Sequence, residues 1–268
     1  MIQAAHTHAG RAIRTLATVA LLILFLAGCS STPEVDPTEG RDAAEIYREA
    51  TSEMLNGQYE TAVSLYSKLI ARYPYGTYAE HAMLGLAYSQ YRDYSPESAI
   101  LTAERFIKLY PRHQFVDYAY YLRGVAAFAM EQGYFFRLFR QDPTERDAQA
   151  ARRALSFFSE LIRKFPASRY VPDARKRVIY LRNHIAQYEI HVARFYMRKE
   201  AWLAAANRAQ FVLENYQQTP AVPQALAILV HAYEKLRLDK LAADAFSVLA
   251  HNYPDHELVR ARGPAAGS

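Results

Sequence analysis

Few residues in this sequence are suited to chemistry. The 268-residue chain has one cysteine, Cys29, and nine histidines. A lone thiol cannot close an intramolecular disulfide, nor build the thiolate cluster that zinc or an iron–sulfur centre needs. His184 and His191 share one helical stretch, two turns or about 10 Å apart, too far to hold one metal. His251 and His256 flank Tyr253-Pro254 and read as a surface pair. The sequence contains no G-x-S-x-G, no H-E-x-x-H, no P-loop and no G-x-G-x-x-G. The expectation is a protein with no catalytic residues, no cofactor and no metal. What remains is one thiol and a large stock of aromatic and basic side chains suited to recognition.

The thiol stands in a telling place. Residues 15–28, TLATVALLILFLAG, are the only long apolar run and follow Arg11 and Arg14. About 20 apolar residues are needed to span a bilayer, so this shorter run reads as a secretory leader. Its end, Leu26-Ala27-Gly28-Cys29, resembles the lipobox of bacterial lipoproteins, which are cut before the cysteine. That resemblance implies a diacylglycerol on the Cys29 sulfur and an acyl chain such as palmitate on the new amino terminus. The transfer needs a thiolate nucleophile. Several acyl chains then hold a protein on a membrane far longer than one chain would. Ser30, rather than an aspartate, follows the cysteine; in such lipoproteins this implies the outer membrane. Residues 29–41, rich in polar residues and proline, are expected to form a tether from lipid to domain. Loss of residues 1–28 removes two arginines and no acid, lowering the formal charge from +5 to +3. So small a charge does not argue for nucleic acid.

The rest of the chain must position whatever recognition there is. It is 51% hydrophobic with only 10 glycines, and alternating strand-like runs are few, which predicts helices. An aromatic-proline pair recurs as Tyr73-Pro74, Tyr110-Pro111, Phe165-Pro166 and Tyr253-Pro254, with Tyr216-Gln217 in the same place. Twelve residues before each proline position lies an alanine: Ala62, Ala99, Ala154, Ala205 and Ala242. Further upstream comes another, mostly small, residue: Ala50, Gly85, Gly124, Ala193 and Val230. Small residues let two helices approach closely, and a proline pushes the residue before it out of the helix. Gly57-Gln58-Tyr59 is expected to turn the first hairpin. Ser95 is expected to cap a helix that begins at Pro96. The pattern resembles the tetratricopeptide repeat, with Ala62-x3-Tyr66, Ala154-x3-Phe158 and Ala242-x3-Phe246 in the second helices. The predicted fold is an all-α tetratricopeptide-repeat solenoid of five helical hairpins. Its divisions are a leader at 1–28, a tether at 29–41, repeats one to three at 42–168, repeats four and five at 169–258, and a flexible tail at 259–268.

Two places break the period. The third repeat carries about eighteen extra residues around 130–147, including Tyr134, Phe135, Phe136 and Phe139 with Arg137 and Arg140. They read either as a lip over a bound peptide or as a plug of the solenoid. The first helix of repeat four is expected to run from Pro172 to about Met197, roughly 39 Å. Its basic cluster Arg175, Lys176, Arg177 and Arg182 reads as a solvated face or as a binding patch.

Repeat arrays of this kind offer a groove made by successive first helices. The candidate client groove comprises Tyr88, Tyr91, Tyr118, Tyr121 and Arg123, with Phe135 and Phe136 of the insertion. A tyrosine-lined basic groove suits a peptide with aromatic side chains and a terminal carboxylate. At the turn of repeat four, Arg198 and Lys199 are candidates to pair with an acidic partner. Trp202 beside them reads either as a contact or as packing inside the repeat.

The lipobox, the five repeats and the aromatic-arginine insertion together resemble the BamD family, the tetratricopeptide-repeat lipoproteins of the outer-membrane β-barrel assembly machinery. Carrying stretches are Arg72-Tyr73-Pro74-Tyr75-Gly76, Asp117-Tyr118 through Arg123-Gly124, Asp142-Pro143 through Ala154, Tyr188-Glu189, and Ala201-Trp202 with Asn207-Arg208. The resemblance implies a non-enzymatic role on the periplasmic face of the outer membrane. C-terminal repeats would bind the periplasmic domains of the barrel-forming BamA subunit. N-terminal repeats would receive the C-terminal signal of unfolded outer-membrane protein clients, and accessory Bam lipoproteins would dock elsewhere. A pilotin-like lipoprotein for secretin targeting is the alternative.

Overall fold

The computed structural model describes residues 36, 38–132 and 148–262. From Asp42 onward the chain forms one compact unit. Its described helices are α1 (Ala43–Leu55), α2 (Tyr59–Arg72), α3 (Thr77–Arg92), α4 (Pro96–Leu109), α5 (Val116–Gln132), α6 (Gln149–Lys164), α7 (Val171–Arg198), α8 (Trp202–Asn215), α9 (Val222–Lys235), α10 (Asp239–Asn252) and the short α11 (Glu257–Arg262). No strand occurs among the described residues. Each helix from α1 to α10 packs on the next. The pairs α1–α2, α3–α4, α5–α6, α7–α8 and α9–α10 are the five expected hairpins, and the fold is an all-α tetratricopeptide-type solenoid.

The residue spacings explain the packing. Ala50, Ala62, Ala99, Ala154, Ala193, Ala205 and Val230 have no exposed surface, and Ala242 is nearly buried. Gly85 and Gly124 sit where even a methyl group would collide with a ring. A Cβ on Gly85 would lie 2.5 Å from Cζ of Tyr66, and one on Gly124 would lie 2.8 Å from Cε1 of Phe158. The large residue of the second-helix motif therefore fills the space that a first helix leaves by lacking a side chain. Where Ala103 and Ala209 replace that large residue, Phe106 and Val212, three positions on, are the largest fully buried side chains of their helices.

Helix ends follow backbone chemistry. Tyr73, Tyr110, Phe165, Tyr216 and Tyr253 all leave the helical region at φ between -124° and -136°. Each still donates its N–H to the carbonyl four residues back at 2.8 Å. Tyr216 adopts this shape with no proline behind it, so packing of the ring as well as proline sterics terminates the helix.

The turns inside four hairpins share a second device. Gly57, Tyr94, Glu200 and Arg237 all have positive φ, between 56° and 81°. The next residue's N–H reaches back five positions, as in Gln58 to Glu53, Ser95 to Gln90, Ala201 to Tyr196 and Leu238 to Tyr233. These are Schellman caps, and they satisfy carbonyls that the helix end leaves open. Ser95 departs from its expected role. It occupies the cap position of α4, but its hydroxyl donates to the Asp93 carbonyl at 3.4 Å and does not cap the helix.

One buried cluster runs from Met83 in α3 to Ala245 in α10. The boundary at 168/169 falls in the α6–α7 loop, and the core continues across it. Helix α7 is 28 residues long, roughly 42 Å, slightly more than expected. Cys29, the leader, most of the tether, Phe135, Phe136 and the rest of the insertion from 133 to 147, and the end of the tail lie outside the described residues.

Candidate functional site

The first helices do build a groove, of about 510 Å³. Tyr47, Met54 and Leu55 come from α1, His81, Leu84 and Tyr88 from α3, and Tyr118 from α5. Phe115 and Tyr170 close it from the loops before α5 and α7. Leu55 is 77% exposed and Phe115 45% exposed, although both are apolar. Apolar side chains left to water along a cleft mark a surface that gains by covering.

The walls are set by ring packing. Tyr66 forms part of the floor; its hydroxyl lies 3.0 Å from that of Thr51. Tyr47 packs against Tyr66 and Tyr78, with ring centres 6.0 and 5.6 Å apart. Tyr170 is held from behind by Tyr121, whose ring stacks on it at 4.7 Å. The Tyr121 hydroxyl donates to Asp173 Oδ2 at 2.8 Å, and Arg177 Nε donates to the same oxygen at 2.6 Å. Burial and the bond to Asp173 push the Tyr121 hydroxyl up to about 12. Burial, with help from neighbouring tyrosines, also raises Tyr118. Burial alone would raise the Asp173 carboxyl, but the bonds from Arg177 and Tyr121 outweigh it and hold it below the usual range. Tyr118 and Tyr121 therefore stay neutral at ordinary pH, as apolar faces with polar tips.

The structure sorts the sequence candidates. Tyr88 and Tyr118 line the groove, and Tyr121 supports it through Tyr170. Tyr91 lines a neighbouring cleft of about 480 Å³, between the α1–α2 and α3–α4 turns. Arg123 does not belong with them. It is 8% exposed, with its guanidinium over the rings of Tyr120 at 4.5 Å and Phe157 at 4.4 Å. It pairs with Glu160, while Glu104 lies 3.9 Å away. Burial would raise Glu160, yet bonds from Lys164 and Arg123 keep it below the usual carboxylate range. The reason is angular: two positions beyond Tyr121 is about 200° around the helix, which turns Arg123 toward α4 and α6.

At the other end of α7, Arg198 and Lys199 are exposed. The Lys199 ammonium lies 5.9 Å from the Phe195 ring centre. Trp202 is half-buried against α9, its ring 6.0 Å from His231 and its face 5.7 Å from the Lys235 ammonium. The packing reading of Trp202 is the one its contacts support. Beside this turn, Tyr196, Asn207, Arg208 and Phe211 border a shallow pocket of about 350 Å³.

Glu189 escaped the sequence reading as a structural centre. Its carboxylate has no exposed surface, takes Arg152 Nη2 at 2.6 Å on one oxygen, and takes Arg208 Nη1 at 3.1 Å on the other. It thereby ties α6, α7 and α8 together. The available signal was a charge on the apolar stripe Ile185, Glu189, Ala193, spaced four by four.

Stacked helical hairpins with an aromatic groove along their first helices define the class: a tetratricopeptide-type scaffold. A family model described as "YfiO: Outer membrane lipoprotein" matches residues 39–256. A protein of Xylella fastidiosa, called outer membrane protein assembly factor BamD, is 36% identical over 250 residues, covering 93% of this chain and 85% of the relative. The protein of that name from Neisseria meningitidis serogroup A is 40% identical over 235 residues, covering 86% and 88%. The one from Vibrio cholerae is 36% identical over 220 residues, covering 82% and 90%. The chain belongs to the BamD family.

Proposed function

We propose that this chain is a non-enzymatic scaffold of outer-membrane protein assembly, anchored by lipid at Cys29 to the periplasmic face of the outer membrane. Its N-terminal groove receives the C-terminal signal of unfolded β-barrel clients. Its C-terminal repeats bind the periplasmic domains of the BamA subunit, with Arg198 and Lys199 at the contact, and accessory lipoproteins dock elsewhere on the array. The observation that carries the reading is the groove of α1, α3 and α5. It offers exposed apolar and aromatic side chains to an extended aromatic segment, in a chain whose relatives are named as assembly factors. The lipobox supplies the anchor. Among the described residues no helix is long and apolar enough to cross a membrane.

Photo-crosslinking in living cells tests this. A crosslinker at Tyr118 is expected to capture unfolded β-barrel precursors, and one at Lys199 to capture BamA. Charge reversal of Arg198 and Lys199 should weaken BamA recovery while thermal stability stays within about 0.5 kcal/mol, because exposed charges contribute little to folding. Recovery of a secretin without BamA would refute the assignment.

A further inference from the structure

The helices of the array alternate in direction, because short loops join neighbours that pack on each other. One edge therefore gathers the starts of α1, α3, α5, α7 and α9 with the ends of α2, α4, α6, α8 and α10. The opposite edge gathers the turns inside the hairpins. Those turns mix signs, as in Arg92-Asp93, Lys199-Glu200 and Arg237 with Asp239. The first edge does not. At the end of α4 and in the loop after it, Arg105, Lys108 and Arg112 are exposed. Arg163 at the end of α6 and Arg169 in the next loop are exposed as well. The basic cluster of α7 divides. Arg177 pairs with Asp173 and Arg182 donates to the Asn215 carbonyl, while Arg175 and Lys176, in the second turn, are exposed.

None of these exposed cations forms an ion pair among the described residues. The acids beside them are already engaged. Glu160 takes Lys164, Asp117 accepts the Ser168 hydroxyl at 2.6 Å, and Glu80 faces His113 at 3.4 Å. Asp42 and Glu45 open α1, so the excess of positive charge lies from α4 to α7. The matching loops of repeats four and five, 215–221 and 253–256, carry no lysine or arginine. Tyr75, in the loop between α2 and α3, adds an aromatic ring that is 88% exposed, and Leu109, the last residue of α4, is exposed too. Tyrosine beside cations is the pairing that suits the level of lipid headgroups. The same edge receives the tether. Helix α1 starts at Ala43, fourteen residues after Cys29. Even a fully extended tether keeps this edge within about 50 Å of the thiol.

Resting on the lipid anchor read at Cys29, we infer that the basic edge of repeats two to four lies against anionic phospholipid headgroups of the membrane that holds the anchor. The tether supplies a high local concentration of headgroups, and the basic patch supplies the second signal that steady attachment takes. The contact sets an orientation. Inter-repeat loops face the bilayer, and the hairpin turns, Arg198 and Lys199 among them, face away from it. An acidic protein partner shares part of this chemistry, so the test separates the two.

The lipidated full chain is reconstituted on vesicles of phosphatidylcholine, alone or mixed with phosphatidylglycerol. Ala167→Cys, in the α6–α7 loop, and Gln58→Cys, in the turn of the first hairpin, each add one exposed thiol for a fluorescent label. A trace of lipid spin-labelled at the headgroup quenches a label that lies at the surface. The label at 167 should lose about half its emission on the mixed vesicles and regain it at high salt, because charge attraction reaches only about 10 Å at ordinary ionic strength. The label at 58 should stay bright on both kinds of vesicle. Arg105→Glu with Lys108→Glu and Arg112→Glu should abolish the quenching at 167. That variant should still float with the vesicles and melt with the parent, since exposed charges contribute little to folding. A bright label at 167 on mixed vesicles, with flotation intact, overturns the headgroup contact and leaves the anchor standing. Equal quenching at both positions, or on both kinds of vesicle, also overturns the contact. Flotation on mixed vesicles alone, lost at high salt, overturns the anchor and keeps the contact. No flotation on either overturns both. A soluble polyglutamate peptide that binds the parent but not the triple variant, with no quenching on vesicles, assigns the edge to a protein partner and overturns the contact.

Discussion

A carboxylate with no exposed surface must meet a cation or lose its charge, and Glu189 meets two. The partners are unequal in what they risk. Arg152 and Arg208 are 40% and 45% exposed, so either can return to water if the carboxylate is removed. Glu189 cannot. Removing both arginines by Arg152→Ala with Arg208→Ala should therefore cost about 3–5 kcal/mol, the cost of an uncompensated buried charge. Glu189→Gln alone should cost less, about 1–2 kcal/mol, because volume and one acceptor are kept. Adding Glu189→Gln to the double arginine variant should recover most of the loss. Urea unfolding midpoints of the three proteins check this order. If the triple variant is as unstable as the double, the arginines act through packing, as Arg152 does over the Tyr188 ring at 5.6 Å. Single residues were the least legible feature of the sequence. Tyr88 and Tyr118 could be placed in the groove because first-helix positions are set by the repeat. Arg123, two positions from Tyr121, faces the other way, and only the rotation of α5 decides it.

At the scale of elements, the sequence was close to the structure. The alanine and aromatic-proline spacings located the helical hairpins, because close packing and helix termination leave a residue-type signature. The turns were not legible to the same degree. Gly57 announces its positive φ, but Tyr94, Glu200 and Arg237 adopt the same conformation with side chains that disfavour it. The helix pairs impose the Schellman cap there, so the reason lies in tertiary packing rather than in local preference. Close approach of helices also gives a test. Alanine is favoured over glycine inside a helix by about 1 kcal/mol. Gly85→Ala should nonetheless destabilise, by about 1–3 kcal/mol, because overpacking outweighs propensity. The Tyr66 ring that the new methyl would meet is 1% exposed and its hydroxyl sits against Thr51. Gly124→Ala meets Phe158, which has no exposed surface, and should behave alike. Thermal unfolding measures both, and a gain in stability at either position would show that the ring retreats.

The whole molecule poses a different question: whether five hairpins unfold together. Repeat arrays have only nearest-neighbour interfaces, so a weak junction would let them melt in parts. The junction here is not weak. Leu181, Ile185 and Ile190 of α7 have no exposed surface and belong to the same buried cluster as Phe106 in α4 and Val212 in α8. Glu189 adds its bonds to α6 and α8 at the same place. Continuity of this core predicts a single cooperative transition. The test uses Trp202, the one tryptophan, which reports on repeat four from its place against α9. Phe106→Ala, two hairpins away, should cost about 3–5 kcal/mol as a cavity in the core. If the array is one unit, the midpoint seen by Trp202 fluorescence must fall by the same amount as the midpoint seen by circular dichroism. If the Trp202 midpoint stays fixed while the helical signal splits, repeats four and five fold by themselves. The groove and the α7–α8 turn would then sit on separately stable halves. A common midpoint would mean that the groove between α1 and α5 and the α7–α8 turn share one folded state, so a ligand bound at either end would stabilise the other against unfolding.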